Sequence, residues 1–297
     1  MSQARCLAKP ALARSGTGGD VMGKWPILDK IEMIDGPIDE KTYDHELAKL
    51  QRRLLDLQVQ HLRSGGRVVI GLDGWDAAGK GGLIERLVSG LEPKSTHVWR
   101  IGAPTPEEQG RHYLWRFWQR LPPPGNWAIF DRTWYGRVLV ERIEGLCSVA
   151  AWKRAYHEIN EFEHELTDDG VRIVKILVHV SAEEQKRRMI DRLSKPHKRY
   201  KVGLEDFRNI AKRQEYLKAY DDMLEQTDTD HAPWHVVASD DKLHARLAGL
   251  KIVAEEVGKG VELTEQTLDP EIAEAAFKLW GWKPDDGKKA KKNGKKN

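Results

Sequence analysis

The chain has 297 residues, of which 40% are apolar and 32% charged, with a net charge of +3. That length is enough to bury a sizeable core in one large domain or two small ones. No uncharged apolar run approaches the roughly 20 residues that span a bilayer, which excludes a transmembrane protein.

The chain begins with a basic stretch (Arg5, Lys9, Arg14) that has a faint transit-peptide character; the plainer expectation is a flexible extension over residues 1–35, with Met22 as an alternative start. Tyr43, Leu47, Leu50, Leu54 and Leu57 then recur at four-three spacing, one stripe of a helix that Gly65-Gly66 ends. Arg67 to Leu72 (RVVIGL) reads as a buried strand, followed by a glycine-rich turn and a helix through Leu83, Ile84, Leu87, Val88 and Leu91. Thr96 to Ile101 is a second strand. Thr105-Pro106-Glu107-Glu108 has the form of a capping box opening a helix that carries Tyr113 to Trp118. Trp127 to Phe130 is a third strand ending at Asp131, and Val171 to Val180, after a helix through Trp152, Tyr156, Ile159 and Phe162, is a fourth. Ser181 and Glu184 make a second capping box before a basic helix. The Lys195 to Val202 segment breaks that helix, a further helix runs from Glu205 to Glu225, and Trp234 to Ala238 is a fifth strand before a helix from about Asp241 to Val257. Strands alternating with amphipathic helices predict parallel α/β architecture.

Cys6 and Cys147 lie far apart without a CxxC partner, which argues against a disulfide scaffold or a cysteine-based zinc site and fits a reducing cytoplasm. Residues 283–297 contribute +5 and leave the remainder at −2, so the body is no general nucleic-acid surface and the Lys-rich tail is expected to be disordered.

Gly74-Trp75-Asp76-Ala77-Ala78-Gly79-Lys80 fits GxxxxGK and sits between a buried strand and a helix, where a phosphate loop belongs. Backbone N–H groups over Gly74, Ala77, Ala78, Gly79 and Gly81 would point at phosphate oxygens, and Lys80 would add a charge. Gly81 stands where an ordinary P-loop has Ser or Thr for magnesium, which makes Asp76 a substitute metal anchor. The alternative is a glycine-rich turn that binds nothing. Asp131, after four apolar residues, has the Walker-B form, and Arg132 and Arg137 follow within reach of phosphate; an ion-paired helix start is the alternative for both arginines. Lys186, Arg187, Arg188, Arg192, Lys195, Lys198, Arg199 and Lys201 are opposed only by Asp191, which suggests a lid that closes on a polyanion, or else a solvated basic face. Trp99, Trp115, Trp118 and Trp152 are expected in the core, and Trp75 is a candidate to stack on a base. The histidines form no ligand cluster.

The segments GLDGWDAAGKGG (71–82), APTPEEQGRHYLWRFW (103–118), FDRTWYGRVLVERIEG (130–145), KPHKRYK (195–201) and APWHVV (232–237) together resemble the polyphosphate kinase 2 family over about residues 40 to 258. The resemblance implies a P-loop kinase-like three-layer sandwich with a central parallel sheet and a helical lid, over residues 36–260 with the lid at about 186–204. A C-terminal helical segment (261–282) and the tail would follow. It implies inorganic polyphosphate as phosphoryl donor, a nucleotide as acceptor, dependence on Mg2+ with Mn2+ as a substitute, and a homo-oligomer, commonly a tetramer. Asp76 and Asp131 would be the essential metal-anchoring carboxylates, with Lys80 and Arg132 beside them. Arg192, Lys198 and Lys201, with Arg188 and Arg199 of the same run, would hold the donor chain. The YLWRFW and DRTWYGR stretches are most similar to the branch that phosphorylates AMP, and Gly136 stands where the ADP-phosphorylating branch tends to have Asn; Lys195 and Tyr200 depart from the family's usual Asp and Trp. Three other readings remain: polyphosphate-driven conversion of ADP or GDP to ATP or GTP, alone or as a second step; an ATP-dependent small-molecule kinase; and a polyanion- or RNA-binding protein that uses its tail.

Overall fold

Gly65 stops the first long helix by taking the left-handed conformation (φ 77°), which glycine adopts at little cost. This helix, α1 (Glu40–Ser64), starts at Asp39, whose carboxylate accepts the Thr42 N–H. The computed structural model describes residues 28–31, 38–264 and 267–283. The N-terminal extension, apart from residues 28–31, and the Lys-rich tail beyond residue 283 lie outside the described residues.

After α1 the chain runs β1 (Arg67–Gly74), α2 (Lys80–Val88), β2 (Thr96–Arg100), α3 (Trp115–Trp118), β3 (Trp127–Asp131), α4 (Val140–Ile143) and α5 (Val149–Asp168). It continues through β4 (Val171–His179), α6 (Ala182–Ser194), α7 (Leu204–Ala211), α8 (Arg213–Thr227), β5 (Trp234–Ala238) and α9 (Lys242–Gly258). The five strands form one parallel sheet in the order β2-β3-β1-β4-β5. β1, β3 and β4 are apolar runs buried along nearly their whole length, as expected of parallel strands covered on both faces. α1 and α2 pack on α9, which covers β4 and β5, while α5 packs on β4 and α8. Among the described residues no helix is long and apolar enough to cross a membrane.

The chain divides into two units, one ending at Val261 and one beginning at Glu262. In the second, α10 (Pro270–Trp280) is capped by Asp269 and ends at a left-handed Gly281.

Three expectations need correction. No helix opens at Pro106: both capping-box bonds form between Thr105 and Glu108, but Gly110 turns the chain at φ 76° and only Trp115–Trp118 is helical. Glu108 is buried against Arg116 and Arg120 (3.2 and 2.7 Å), so the acid that would have begun a helix anchors the turn onto α3. The single helix expected over 205–225 is two, divided at Lys212. Trp118 is 45% exposed; one edge of its ring meets Phe162 at 5.0 Å while the rest faces outward.

Candidate active site

β1 and β3 are neighbours whose onward connections diverge, β1 leading to the edge strand β2 and β3 leading across to β4. In parallel sheets such a switch opens a crevice at the carboxyl ends of the strands. Both sequence motifs end there: the loop 74–80 follows β1, and Asp131 ends β3 in register with Leu72.

The loop's shape is set by a close approach. Gly74 has φ 137°, and a Cβ at this position would lie 2.2 Å from the carbonyl oxygen of Val178 on β4. Gly79 (φ 115°) begins α2 without a side-chain cap, so the helix's first N–H groups face the loop. Ala77 (φ 62°) and Arg132 (φ 68°) are the two non-glycine residues with left-handed backbone among the described residues. Each costs about 1 kcal/mol or more, and both sit at this crevice. Lys80 is buried, and its Nζ donates to the carbonyls of Gly74 and Trp75 (2.6 and 2.8 Å). Burial lowers its pKa, against the opposing pull of Asp76. Around Gly81 nothing lies within 4 Å of a Cβ, so no steric demand keeps a hydroxyl residue out.

Asp76 is held from two sides. Its Oδ1 pairs with Arg132 Nη2 (3.2 Å) and its Oδ2 accepts from Asn209 Nδ2 (2.7 Å), while its backbone carbonyl accepts from Gln185 Nε2 (2.9 Å). Asp131 acts electrostatically on both Lys80 and Arg132. A third carboxylate that sequence reasoning passed over, Asp73, is buried at the end of β1 and accepts from Thr133 Oγ1 at 2.5 Å; burial pushes its pKa up. Lys80, Asp76, Asp131 and Arg132 therefore lie together at this crevice. The oxygen donors gathered here are carboxylates, which suit a hard cation such as Mg2+ or Mn2+. Among the described residues no three His, Cys, Asp or Glu side chains could hold a metal by themselves, so an ion here would complete its shell with oxygens of water or substrate.

Other candidates are placed differently. Arg188 is 4% exposed, and its guanidinium is fully engaged: with the carbonyls of Ala77, Ala78, Ser239 and Asp240, and with Glu184 at 2.7 Å. It clamps the loop to α6 and leaves no donor for a bound polyanion. Arg137 pairs with Glu141 (2.6 Å) and lies 4.4 Å over the Tyr113 ring. Trp75 cannot stack on a base: it is 5% exposed, bonded to His179 Nδ1 (2.9 Å) and packed against Tyr220 and the Arg213 guanidinium. In the lid, Lys195 and Lys198 share Asp191 (2.6 Å each), and their hydrogen bonds hold its carboxyl well below the usual range. Arg192 reaches the Lys201 carbonyl (3.4 Å), Arg199 donates to the Leu193 carbonyl (2.9 Å), and Arg199, Tyr200 and Lys201 are exposed.

Asn209, Gln185 and Arg213 were not foreseen. Arg213 donates to Gln185 Oε1 and to the Val180 carbonyl (2.7 Å each), and so holds the amide that holds the loop. No local spacing announces them, because each acts across a long sequence separation.

A parallel sheet of this order, with a phosphate loop after β1 and an acid ending β3, defines a P-loop protein of the kinase type. The chain belongs to the polyphosphate kinase 2 family: the profile described as Polyphosphate kinase 2 (PPK2) matches residues 37–263. It is 43% identical over 234 residues to a polyphosphate:AMP phosphotransferase of Pseudomonas syringae pv. tomato, covering 78% of this chain and 47% of that protein. It is 38% identical over 216 residues to an ADP-polyphosphate phosphotransferase of Pseudomonas aeruginosa, covering 73% of this chain and 71% of that one. The crystal structure of polyphosphate kinase 2 from Arthrobacter aurescens TC1 superimposes with a TM-score of 0.77 at 30% identity, covering 90% of this chain and 95% of that chain. The chain spans about half the length of the polyphosphate:AMP phosphotransferases it matches.

Proposed function

We propose that the protein transfers a phosphoryl group from inorganic polyphosphate to a nucleotide, with AMP as acceptor and ADP as product. The observation that carries this reading is a P-loop without the usual hydroxyl after its lysine, in which Asp76 is instead held between Arg132 and Asn209, in a chain of the polyphosphate kinase 2 family. The relatives named polyphosphate:AMP phosphotransferase support AMP as the acceptor.

In this reading the transferring phosphoryl group lies against the N–H groups of the loop and the first turn of α2. Lys80 exchanges its two backbone carbonyls for a phosphate oxygen, and Arg132 meets the phosphoryl group from the β3 side. Asp76 and Asp131 would hold Mg2+, or Mn2+ in its place, which when bound supplies neutralisation of the phosphate charge. The AMP phosphate is already an anionic nucleophile, so Asp76 and Asp131 need not act as strong bases. The lid cations Arg192, Lys198, Arg199 and Lys201 balance the donor chain's charge, and closing them over the crevice excludes water; the terminal phosphoanhydride P–O bond breaks as one forms to an AMP phosphate oxygen, and the polyphosphate leaves one phosphate shorter.

A second reading, with ADP as acceptor, is supported by the likeness to the Pseudomonas aeruginosa ADP-polyphosphate phosphotransferase. One chromatographic assay separates the two. Purified protein is given Mg2+, polyphosphate and either AMP or ADP, with ATP as a control donor. ADP formed from AMP supports the proposal, and ATP formed from ADP alone moves the acceptor. Transfer from ATP but not from polyphosphate overturns both.

A further inference from the structure

Beneath the crevice lies a charged cluster that the mechanism above does not use. Glu163 on α5 and Lys175 in the middle of β4 are buried and paired at 2.8 Å. Every strong donor and acceptor in the cluster is answered. Lys175 Nζ donates to Glu163 Oε2, to Tyr135 Oη (2.9 Å) and to the Thr227 carbonyl (2.7 Å). Glu163 Oε1 accepts from both Trp134 Nε1 (2.9 Å) and Tyr135 Oη (2.7 Å). Tyr135 packs on Trp234 at 4.7 Å, and Trp234 Nε1 donates to Thr227 Oγ1 (3.0 Å).

Burying two charges is expensive, and such pairs can often be replaced by apolar side chains without loss of stability. Stability alone is therefore a weak account of why this pair is here. Its place in the chain is more telling. Trp134 and Tyr135 belong to the turn that follows Arg132, the residue whose left-handed backbone turns the chain off the end of β3 and whose guanidinium meets Asp76. Thr133 ties the start of that turn to Asp73, and its Oγ1 accepts the Tyr135 N–H (3.2 Å). The strained residue is thus fixed on its C-terminal side by two side chains that both bond one carboxylate oxygen.

We propose that the Glu163–Lys175 pair, acting through Trp134 and Tyr135, is a positioning device that holds the turn after β3 in the one conformation that aims Arg132 at the phosphate loop. Glu163, Lys175 and Tyr135 touch no substrate; they act through Arg132. The inference rests on the reading that Arg132 serves phosphoryl transfer.

The test is a double-mutant cycle between Tyr135→Phe and Arg132→Lys. Tyr135→Phe removes only the hydroxyl that bridges Glu163 and Lys175. It is expected to lower kcat about 10- to 100-fold, the scale of a misplaced catalytic group, with KM for both substrates within about twofold, the pattern of an interaction made in the transition state. In the Arg132→Lys background the same change is expected to cost much less, because both variants disable one arginine. The Arg132 Nε–Hε NMR signal, assigned by its loss in Arg132→Lys, is expected to broaden or shift in Tyr135→Phe. If Tyr135→Phe does not fold, the uncharged pair Glu163→Gln with Lys175→Met takes its place in the cycle. Losses that multiply, or an Arg132 signal left unchanged, would overturn the proposal. If the wild-type protein transfers nothing from polyphosphate, the functional reading fails, and the Arg132 signal still judges the positioning role by itself.

Discussion

Asn209 donates to the carboxylate of Asp76 at 2.7 Å, across 133 residues of sequence, and is itself oriented by the Tyr216 hydroxyl, which donates to its Oδ1 at 3.1 Å. One end of the lid region is thereby joined to the phosphate loop through a catalytic candidate. A hydrogen bond to a charged group is worth about 1.5–3 kcal/mol. Asn209→Ala is accordingly expected to lower kcat about 10- to 100-fold while the thermal midpoint moves little. Steady-state kinetics beside a melting curve checks this, and wild-type turnover would show that Asp76 does not depend on Asn209.

Arg188 and Lys201 belong to one basic run and are expected to behave as opposites. Arg188→Gln strands loop carbonyls and Glu184, a loss of about 3–5 kcal/mol for a broken buried pair, and should lower Tm by about 6–20 °C. Lys201→Ala should leave Tm unchanged, raise KM for long polyphosphate and flatten its salt dependence, because one cation less meets the chain. A thermal shift series combined with kinetics at two salt concentrations distinguishes them, and equal Tm losses would contradict the burial difference.

Two loop glycines should respond differently to a side chain. Gly81→Ser has open space and a helical position where serine outperforms glycine by a few tenths of a kcal/mol or more, so folding should be kept or improved. Gly74→Ala drives a Cβ against the Val178 carbonyl at a left-handed φ and should abolish stable folding. Expression yield and melting temperature provide the comparison.

His61 sets a pH dependence of stability. It is buried beside Trp127, whose Nε1 donates to its Nδ1 at 3.2 Å, and burial, with a smaller push from Arg172, lowers its pKa from 6.5 to about 4. The unfolded chain therefore binds the proton more readily than the folded one between those values. The stabilisation is present above pH 6.5 and is lost as pH falls toward 4. Melting midpoints measured across this window should drop on acidification, and His61→Gln, which keeps an acceptor for Trp127, should shallow the slope.

The sheet was legible because buried parallel strands are short apolar runs bounded by turns, and RVVIGL, WAIF and VRIVKILVHV leave little choice. The loop and Asp131 were legible for a related reason, since each is local in sequence. Residues that act at a distance were not. Arg188 has the same letter as its solvated neighbours, and only the fold shows that it faces Ala77 and Ala78. Asp73 looks like part of a glycine-rich turn until Thr133 is brought beside it. The helix expected from Thr105 failed where a correct local signal met a stronger tertiary one, in the pull of Arg116 and Arg120 on Glu108.

The clamp at Arg188 also bears on where the proposed lid would bend. On the outgoing side α6 is bolted to the loop through residue 188, and on the returning side Asn209 and Arg213 are tied to Asp76 and Gln185. Between these ties lie residues 189–208, the span within which the proposed lid would bend. Tyr200 and Leu204, each 80% exposed, sit near its tip. In the proposed closure, ties this close to the phosphate loop would let the basic tip shift without disturbing the strained backbone beneath it.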